Sequence, residues 1–163
     1  MKRIITLGNE LLKQKSKIIT EFDGKIKEHM MFMFEMMAKS GGIGLASVQI
    51  GDLRQIFVVS IPRDKPRVFI NPEIIETSLE QDEYEEGCLS VPGINAEVTR
   101  PYFVKVQAWN EKGKPFTIQA EGLLARVMQH EIDHINGFLF IDRIHPDKKQ
   151  KLIKLYNRKS KQE

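Results

Sequence analysis

Residues 122–136 of this chain read Gly-Leu-Leu-Ala-Arg-Val-Met-Gln-His-Glu-Ile-Asp-His-Ile-Asn. Leu123, Leu124, Val127, Met128 and Ile132 recur at helical spacing, and Gly137 stands where a left-handed C-terminal cap belongs. The segment is therefore expected to be an amphipathic helix around which the other elements pack. Inside it, His130 and His134 are four residues apart, so both imidazoles leave one face, one turn apart, where they can hold a single metal ion. Glu131 lies beside them and can serve as a general base. Asp133 is expected to support the site or face solvent rather than to ligate.

The rest of the chain alternates between two periodicities. Asp23 opens a second helix in which Ile26, Met30, Met33, Phe34 and Met37 form a core-facing stripe, closed by Gly41 and Gly42. Residues 55–61, 68–71 and 102–110 are rich in Val, Ile, Phe and Tyr and read as strands. Asn110-Glu111-Lys112-Gly113 is a turn, and residues 115–121 are its return strand. His145-Pro146-Asp147 starts a last helix, with Leu152, Leu155 and Tyr156 as a narrow apolar stripe. Strands and helices do not alternate as βαβ units would. The expected class is α+β, with mostly antiparallel sheets around the helix that carries the histidines and a C-terminal helix, all in one domain over residues 1–163.

Charge and cysteine content narrow the function. The net charge of +3 divides into +5 over residues 146–163, which hold seven basic side chains, and −2 over the rest. A single Cys excludes an internal disulfide and any multi-cysteine zinc cage. No apolar run has membrane-spanning length, and the N-terminus lacks a signal-peptide core, so a cytoplasmic protein is expected.

A catalytic metal site of this kind has three protein ligands and an open position. Metalloproteases that share the two-histidine pattern take the third ligand from downstream, either a His at the position filled here by Phe140 or a Glu on a later helix. The only Glu after Glu131 is Glu163. His29, Cys88, His145 and scattered carboxylates remain as donors. Cys88 is preferred among them, because Glu86-Gly87 and Leu89-Ser90 place it in a turn-like setting before Val91-Pro92.

Three stretches, Gly42-Ile43-Gly44-Leu45-Ala46-Ser47-Val48-Gln49, Glu86-Gly87-Cys88-Leu89-Ser90 and Gln129-His130-Glu131-Ile132-Asp133-His134, resemble the signature motifs of the peptide deformylases in order and separation. The resemblance spans nearly the whole chain. It implies a hydrolase that removes the formyl group from the formyl-methionine of newly made polypeptides and releases formate. It also implies one divalent metal on Cys88, His130 and His134, with Fe2+ as the usual native ion, although the donor set suits Zn2+ equally. Glu131 becomes the acid/base, and the Gln49 side-chain amide and Leu89 backbone N–H become donors to the formyl oxygen. Ile43 and Gly44 are expected to pair with the substrate backbone, and Ile43, Leu123 and Val127 to line the methionine pocket.

Four positions depart from the usual pattern: Ser47 for Ala, Ile135 for Leu, and Arg126 and Tyr84 where some relatives are aliphatic. On the residues alone the basic helix at 146–163 reads equally as a solvated lysine-rich face; the resemblance implies that it contacts the ribosome near the tunnel exit, an interaction that salt should weaken. Two other readings stay open on the residues alone. One is a different metallohydrolase, marked by internal peptide cleavage without formate. The other is a binding module that works through its basic tail.

Overall fold

The computed structural model describes residues 2–162. Its elements are α1 (Gly24–Lys39), β1 (Gly44–Ala46), β2 (Ile56–Val59), β3 (Arg67–Thr77), β4 (Gln81–Cys88), β5 (Val91–Pro101), β6 (Phe103–Trp109), β7 (Pro115–Glu121), α2 (Gly122–Ile135) and α3 (Pro146–Ser160). Short 3-10 turns cover Glu10–Lys13, Ser47–Ile50 and Phe140–Arg143. The class is α+β. Five strands form an antiparallel sheet in the order β1-β2-β3-β6-β7, and β4 and β5 pair as a separate antiparallel hairpin.

Helices cover both faces of the larger sheet. Phe57, Val59, Phe69 and Val106 pack with Met128 and Ile132 of α2, while Ile56, Val58 and Ile70 pack with Met33 and Met37 of α1. This explains why β2 is apolar at all four positions rather than at alternate ones. Each such Val, Ile or Phe contributes about 1.5–3 kcal/mol through burial. Phe57 and Phe69 add a stacked pair with centroids 4.6 Å apart.

Helix ends follow the sequence signals. Asp23 caps α1 by accepting the Lys25 N–H at 3.0 Å. His145 caps α3, its Nδ1 accepting the Asp147 N–H at 3.2 Å, and Pro146 is the first helical residue. Gly137 has φ +85°, and a Cβ there would lie 2.5 Å from the Lys13 carbonyl oxygen, so both the left-handed cap and the close backbone require glycine.

Three expectations change. The strand expected at residues 68–71 continues to Thr77: Asn71, at φ 49°, bends it, and its side chain bonds both backbone groups of Ile19, at 2.8 and 2.7 Å. The sequence pattern predicts no strand over the hairpin of β4 and β5, and Cys88, expected in a turn-like setting, is the last residue of β4, just before the turn to β5. On α3 the covered face is Leu152, Ile153 and Tyr156, packed on Val91 and Ile94 of β5, and Leu155 is exposed. Residues 152, 153 and 156 fall within about 100° around a helix, whereas 155 points away from their centre. Among the described residues, no helix is long and apolar enough to cross a membrane.

Candidate active site

The site forms where three elements meet. Helix α2 presents His130, Glu131 and His134 towards the end of β4, which presents Cys88, and the 3-10 turn after β1 presents Gln49. The donor atoms of Cys88, His130 and His134 all lie within 4.8 Å of one another. Cys88 Sγ is 3.3 Å from His134 Nε2, and the two imidazoles stand edge to face at 5.1 Å. Of the other donors weighed from the sequence, His29 bonds Ser47 on the far side of that turn, and His145 caps α3. Phe140, at the position of a third protease histidine, is buried and stacks on His130 at 6.0 Å.

The chemistry of this group fits a divalent cation. His130 Nδ1 is held at 2.8 Å by Glu86 Oε1, so its Nε2 faces inward, while His134 Nδ1 and Glu131 Oε2 are buried polar atoms with no hydrogen-bond partner. Burial drives the His134 pKa well below the usual histidine value, which leaves a neutral ring with a lone pair to donate. Cys88 and the two imidazoles could supply three ligands, with the cleft on the open side.

Glu131 is 3% exposed, and burial, reinforced by Glu86 and Asp133, pushes its carboxyl up to about 7 despite the opposing pull of His130 and Arg100. A carboxyl in that range can both take and give a proton near neutrality. Its orientation depends on Gly44, because a Cβ there would meet Glu131 Oε1 at 2.7 Å and Val127 Cγ1 at 2.8 Å. Glycine at this position lets β1 lie directly against α2.

Gln49 is 1% exposed. Its Oε1 accepts the Ala46 N–H at 2.9 Å, which fixes the amide so that Nε2 faces the other way. That Nε2 donates to Ser90 Oγ at 3.0 Å and lies 3.6 Å from Cys88 Sγ. Leu89 follows Cys88 in the link between β4 and β5, and the Ser90 N–H points at the thiol sulfur at 3.4 Å.

These groups open onto a cleft of about 520 Å³ lined by Ile43, Gly44, Gln49, Leu89, Leu123 and Val127 among others. Ile43 and Leu123 are 39% and 41% exposed, so the cleft has an apolar wall that solvent reaches. β1 is an edge strand. The Ile43 carbonyl already bonds the Ser60 N–H towards β2, and hydrogen-bonding direction alternates along a strand, so the backbone groups of Gly44 point to the free edge.

In the charged layer behind Cys88 and the two histidines, only Asp133 is given a supporting place by the sequence; Glu86 and Arg100 are not. Glu86 accepts from Arg100 at 2.6 and 3.0 Å, from Arg126 at 2.6 Å and from His130 at 2.8 Å. Burial opposes its charge, yet the bonds from His130 and Arg100 pull its pKa down to about 2. Of the two places expected for Asp133, the structure has the supporting one: it is buried and takes Arg100 at 2.9 Å and Arg143 at 2.6 Å. Arg126 also bonds the carbonyls of Val98 and Asp82, each at 2.8 Å, and lies over the exposed ring of Tyr84. One signal could have exposed this layer: Ile94, Ala96, Val98 and Arg100 alternate along β5, which puts an arginine in a core-facing slot.

A sequence profile of the polypeptide deformylases matches residues 1–150. The chain is 48% identical over 151 residues to the peptide deformylase of Borreliella burgdorferi, covering 92% of each chain. It is 44% identical to that of Chromobacterium violaceum, covering 98% of this chain and 96% of the relative. Among solved structures, the Legionella pneumophila peptide deformylase superposes with a TM-score of 0.92 at 38% identity, over 99% of this chain and 96% of that one. A Synechococcus elongatus peptide deformylase, solved in complex with actinonin, gives 0.91 at 36% identity, over 98% and 88%. With the three motifs converging on one cleft and the fold shared end to end, the chain belongs to the polypeptide deformylase family.

Proposed function

We propose that this chain removes the formyl group from the formyl-methionine of newly made polypeptides, releasing formate. The observation that carries the reading is the convergence of a thiol, two imidazoles and a buried carboxyl on an open cleft that has an apolar wall and a free strand edge. Cys88, His130 and His134 would hold one divalent metal, and Fe2+ is the ion the family resemblance favours. When bound, that metal supplies Lewis acidity to the formyl carbonyl and to water.

The chain's own residues account for the rest. The free backbone groups of Gly44, beside Ile43, pair with the substrate backbone as an added strand. Ile43, Leu123 and Val127 receive the unbranched methionine side chain. Gln49 Nε2 and the Leu89 N–H donate to the formyl oxygen as it gains negative charge. Glu131 takes the proton of the attacking water as the C–O bond forms and delivers it to the amine nitrogen as the C–N bond then breaks. Water and formamide are consumed, and formate and a free amine are produced, with no redox change.

Residues 1–163 act as one catalytic unit in the cytoplasm on this reading. The helix Pro146–Ser160 carries Lys148, Lys149, Lys151, Lys154, Arg158 and Lys159; Lys149 pairs with Asp142 and Lys159 bonds the Gly93 carbonyl, and the other four are the cations offered to ribosomal RNA near the tunnel exit. Formate release from a formyl-Met peptide under anaerobic conditions, with metal analysis of the same sample, tests the function. A metal-loaded protein that leaves the formyl group in place would overturn it.

A further inference from the structure

His29 is a buried imidazole that the proposed reaction does not use. It projects from α1 onto the turn that carries Gln49, with Nε2 2.7 Å from Ser47 Oγ and 3.9 Å from Asp52 Oδ2. Ser47 is the first residue of the 3-10 turn Ser47–Ile50, and Asp52 follows its exit through the left-handed Gly51. The Asp52 N–H closes the loop onto the Ser47 carbonyl at 3.1 Å, and Arg54 holds the Asp52 carboxylate by two bonds of 2.8 Å. One side chain from a different element thus bonds the start of the bend and lies near its exit, and Gln49 sits inside it.

Packing alone does not call for this pair. Ser47 is fully buried, and an alanine would fill its place without bringing a hydroxyl out of water. It is also one of the positions where the chain departs from the usual motif. A buried hydroxyl and imidazole at 2.7 Å instead fix a direction, since the short bond is lost if the turn rotates. Ser47 joins Ala46 of β1, whose N–H orients the Gln49 amide, to Gln49 itself, so rotation of the turn at Ser47 would shift Gln49 against the donor that aims Nε2.

We infer that His29 and Ser47 are positioning residues for Gln49, latching the turn to α1 so that the amide donor stays aimed at the cleft. This deepens the proposed reaction and rests on Gln49 acting there as a donor to the formyl oxygen.

A mutant cycle on the metal-loaded, full-length enzyme tests it, with steady-state kinetics on a formyl-Met peptide and a thermal melt for every variant. Gln49→Ala should lower kcat by about 10²–10³. Ser47→Ala should lower kcat by about tenfold while KM stays within about twofold, as expected when a contact tightens only at the transition state. Added to Gln49→Ala, it should lower kcat no further. His29→Leu should behave like Ser47→Ala, and His29→Gln, which can still bond the hydroxyl, should recover part of the loss.

An equal loss from Ser47→Ala with or without Gln49 would show that the pair acts elsewhere and overturn the inference. So would a lowered melting temperature with kcat intact in both Ser47→Ala and His29→Leu. If Gln49→Ala itself leaves kcat unchanged, the donor role of Gln49 fails first and the latch falls with it. A crippled Gln49→Ala beside a silent Ser47→Ala and a silent His29→Leu overturns the latch alone.

Discussion

Helix α2 has two dissimilar sides. Towards the five-stranded sheet it packs Ala125, Met128, Ile132 and Ile135 against Phe57, Phe69, Val104 and Val106. Towards the hairpin of β4 and β5 it presents Arg126, His130 and Asp133 to Glu86 and Arg100, all of them buried. The apolar side removes surface from water and is stabilising in proportion to area, largely irrespective of direction. The charged side must first offset several kcal/mol of desolvation per ion, and an apolar pair of similar volume would hold the fold as well or better. What the charged side supplies is direction: Glu86 fixes which nitrogen of His130 faces the cleft, and Arg100 fixes Glu86. One side of the helix stabilises it, and the other aims it.

The largest effects should come from the residues that face the cleft. Cys88→Ala should release the metal and abolish formate production, whereas Glu131→Gln should keep the metal and lower kcat by about 10²–10⁴, the usual worth of a positioned acid/base. Metal content per chain separates the two. Glu131→Gln at near wild-type turnover would remove Glu131 from the reaction. Removing the metal from the wild type with a chelator should also lower its melting temperature, because binding to the folded state alone stabilises by about 2.7 kcal/mol at a free metal concentration about 100 times Kd.

The comparison between the two sides sharpens one step further back. Arg100→Met should cost about 3 kcal/mol, the low end for a broken buried pair, because Glu86 keeps Arg126 and His130 and Asp133 keeps Arg143. Met128→Ala should cost about 2–5 kcal/mol through the cavity it leaves. Urea denaturation would then rank the two alike. Metal affinity should divide them: Arg100→Met should weaken it about 10- to 100-fold through the misaligned Glu86 and His130, and Met128→Ala should leave it nearly unchanged. Equal metal affinity in the two variants would mean that the charged side has no orienting role.

The same contrast decides how much could be read from the chain. On α2 the apolar residues and the two histidines keep one period, so the helix, its glycine cap and its paired imidazoles are legible in the amino-acid order alone. Cys88 is legible as a chemical need, though its strand is not. β4 is Gln-Asp-Glu-Tyr-Glu-Glu-Gly-Cys with only Glu86 buried, so it carries no apolar alternation. β5 does alternate, but Pro92 and Gly93 precede the pattern and a charge closes it at Arg100. Buried ion pairs hide strands in this way: their partners come from β4, β5 and α2, and nothing local to any one segment marks Glu86, Arg100 and Asp133 as a single group. Asn71 concealed the rest of β3 for a related reason, because the bend it makes is anchored on Ile19, 52 residues away.

The smallest effect lies at the third polar contact, between α1 and the turn carrying Gln49, where burial and charge compete directly. Burial lowers the His29 pKa, the Asp52 carboxylate raises it, and Arg54 and Lys2 lower it again, with the balance below the usual 6.5. The folded chain then resists a proton that the unfolded chain accepts. Stability from this group is complete above about pH 6.5 and is lost as pH falls through the lower, folded value. Urea denaturation of the wild type and His29→Gln at steps from about pH 8 to 5 should show the wild type losing ground to the variant as acid is added. The titrations of the metal ligands cancel in that difference, because both proteins carry them. A gap that instead moves in favour of the wild type in acid would mean that His29 is charged in the folded state and bound to Asp52, which would make this contact a smaller copy of the charged side of α2 rather than a neutral latch.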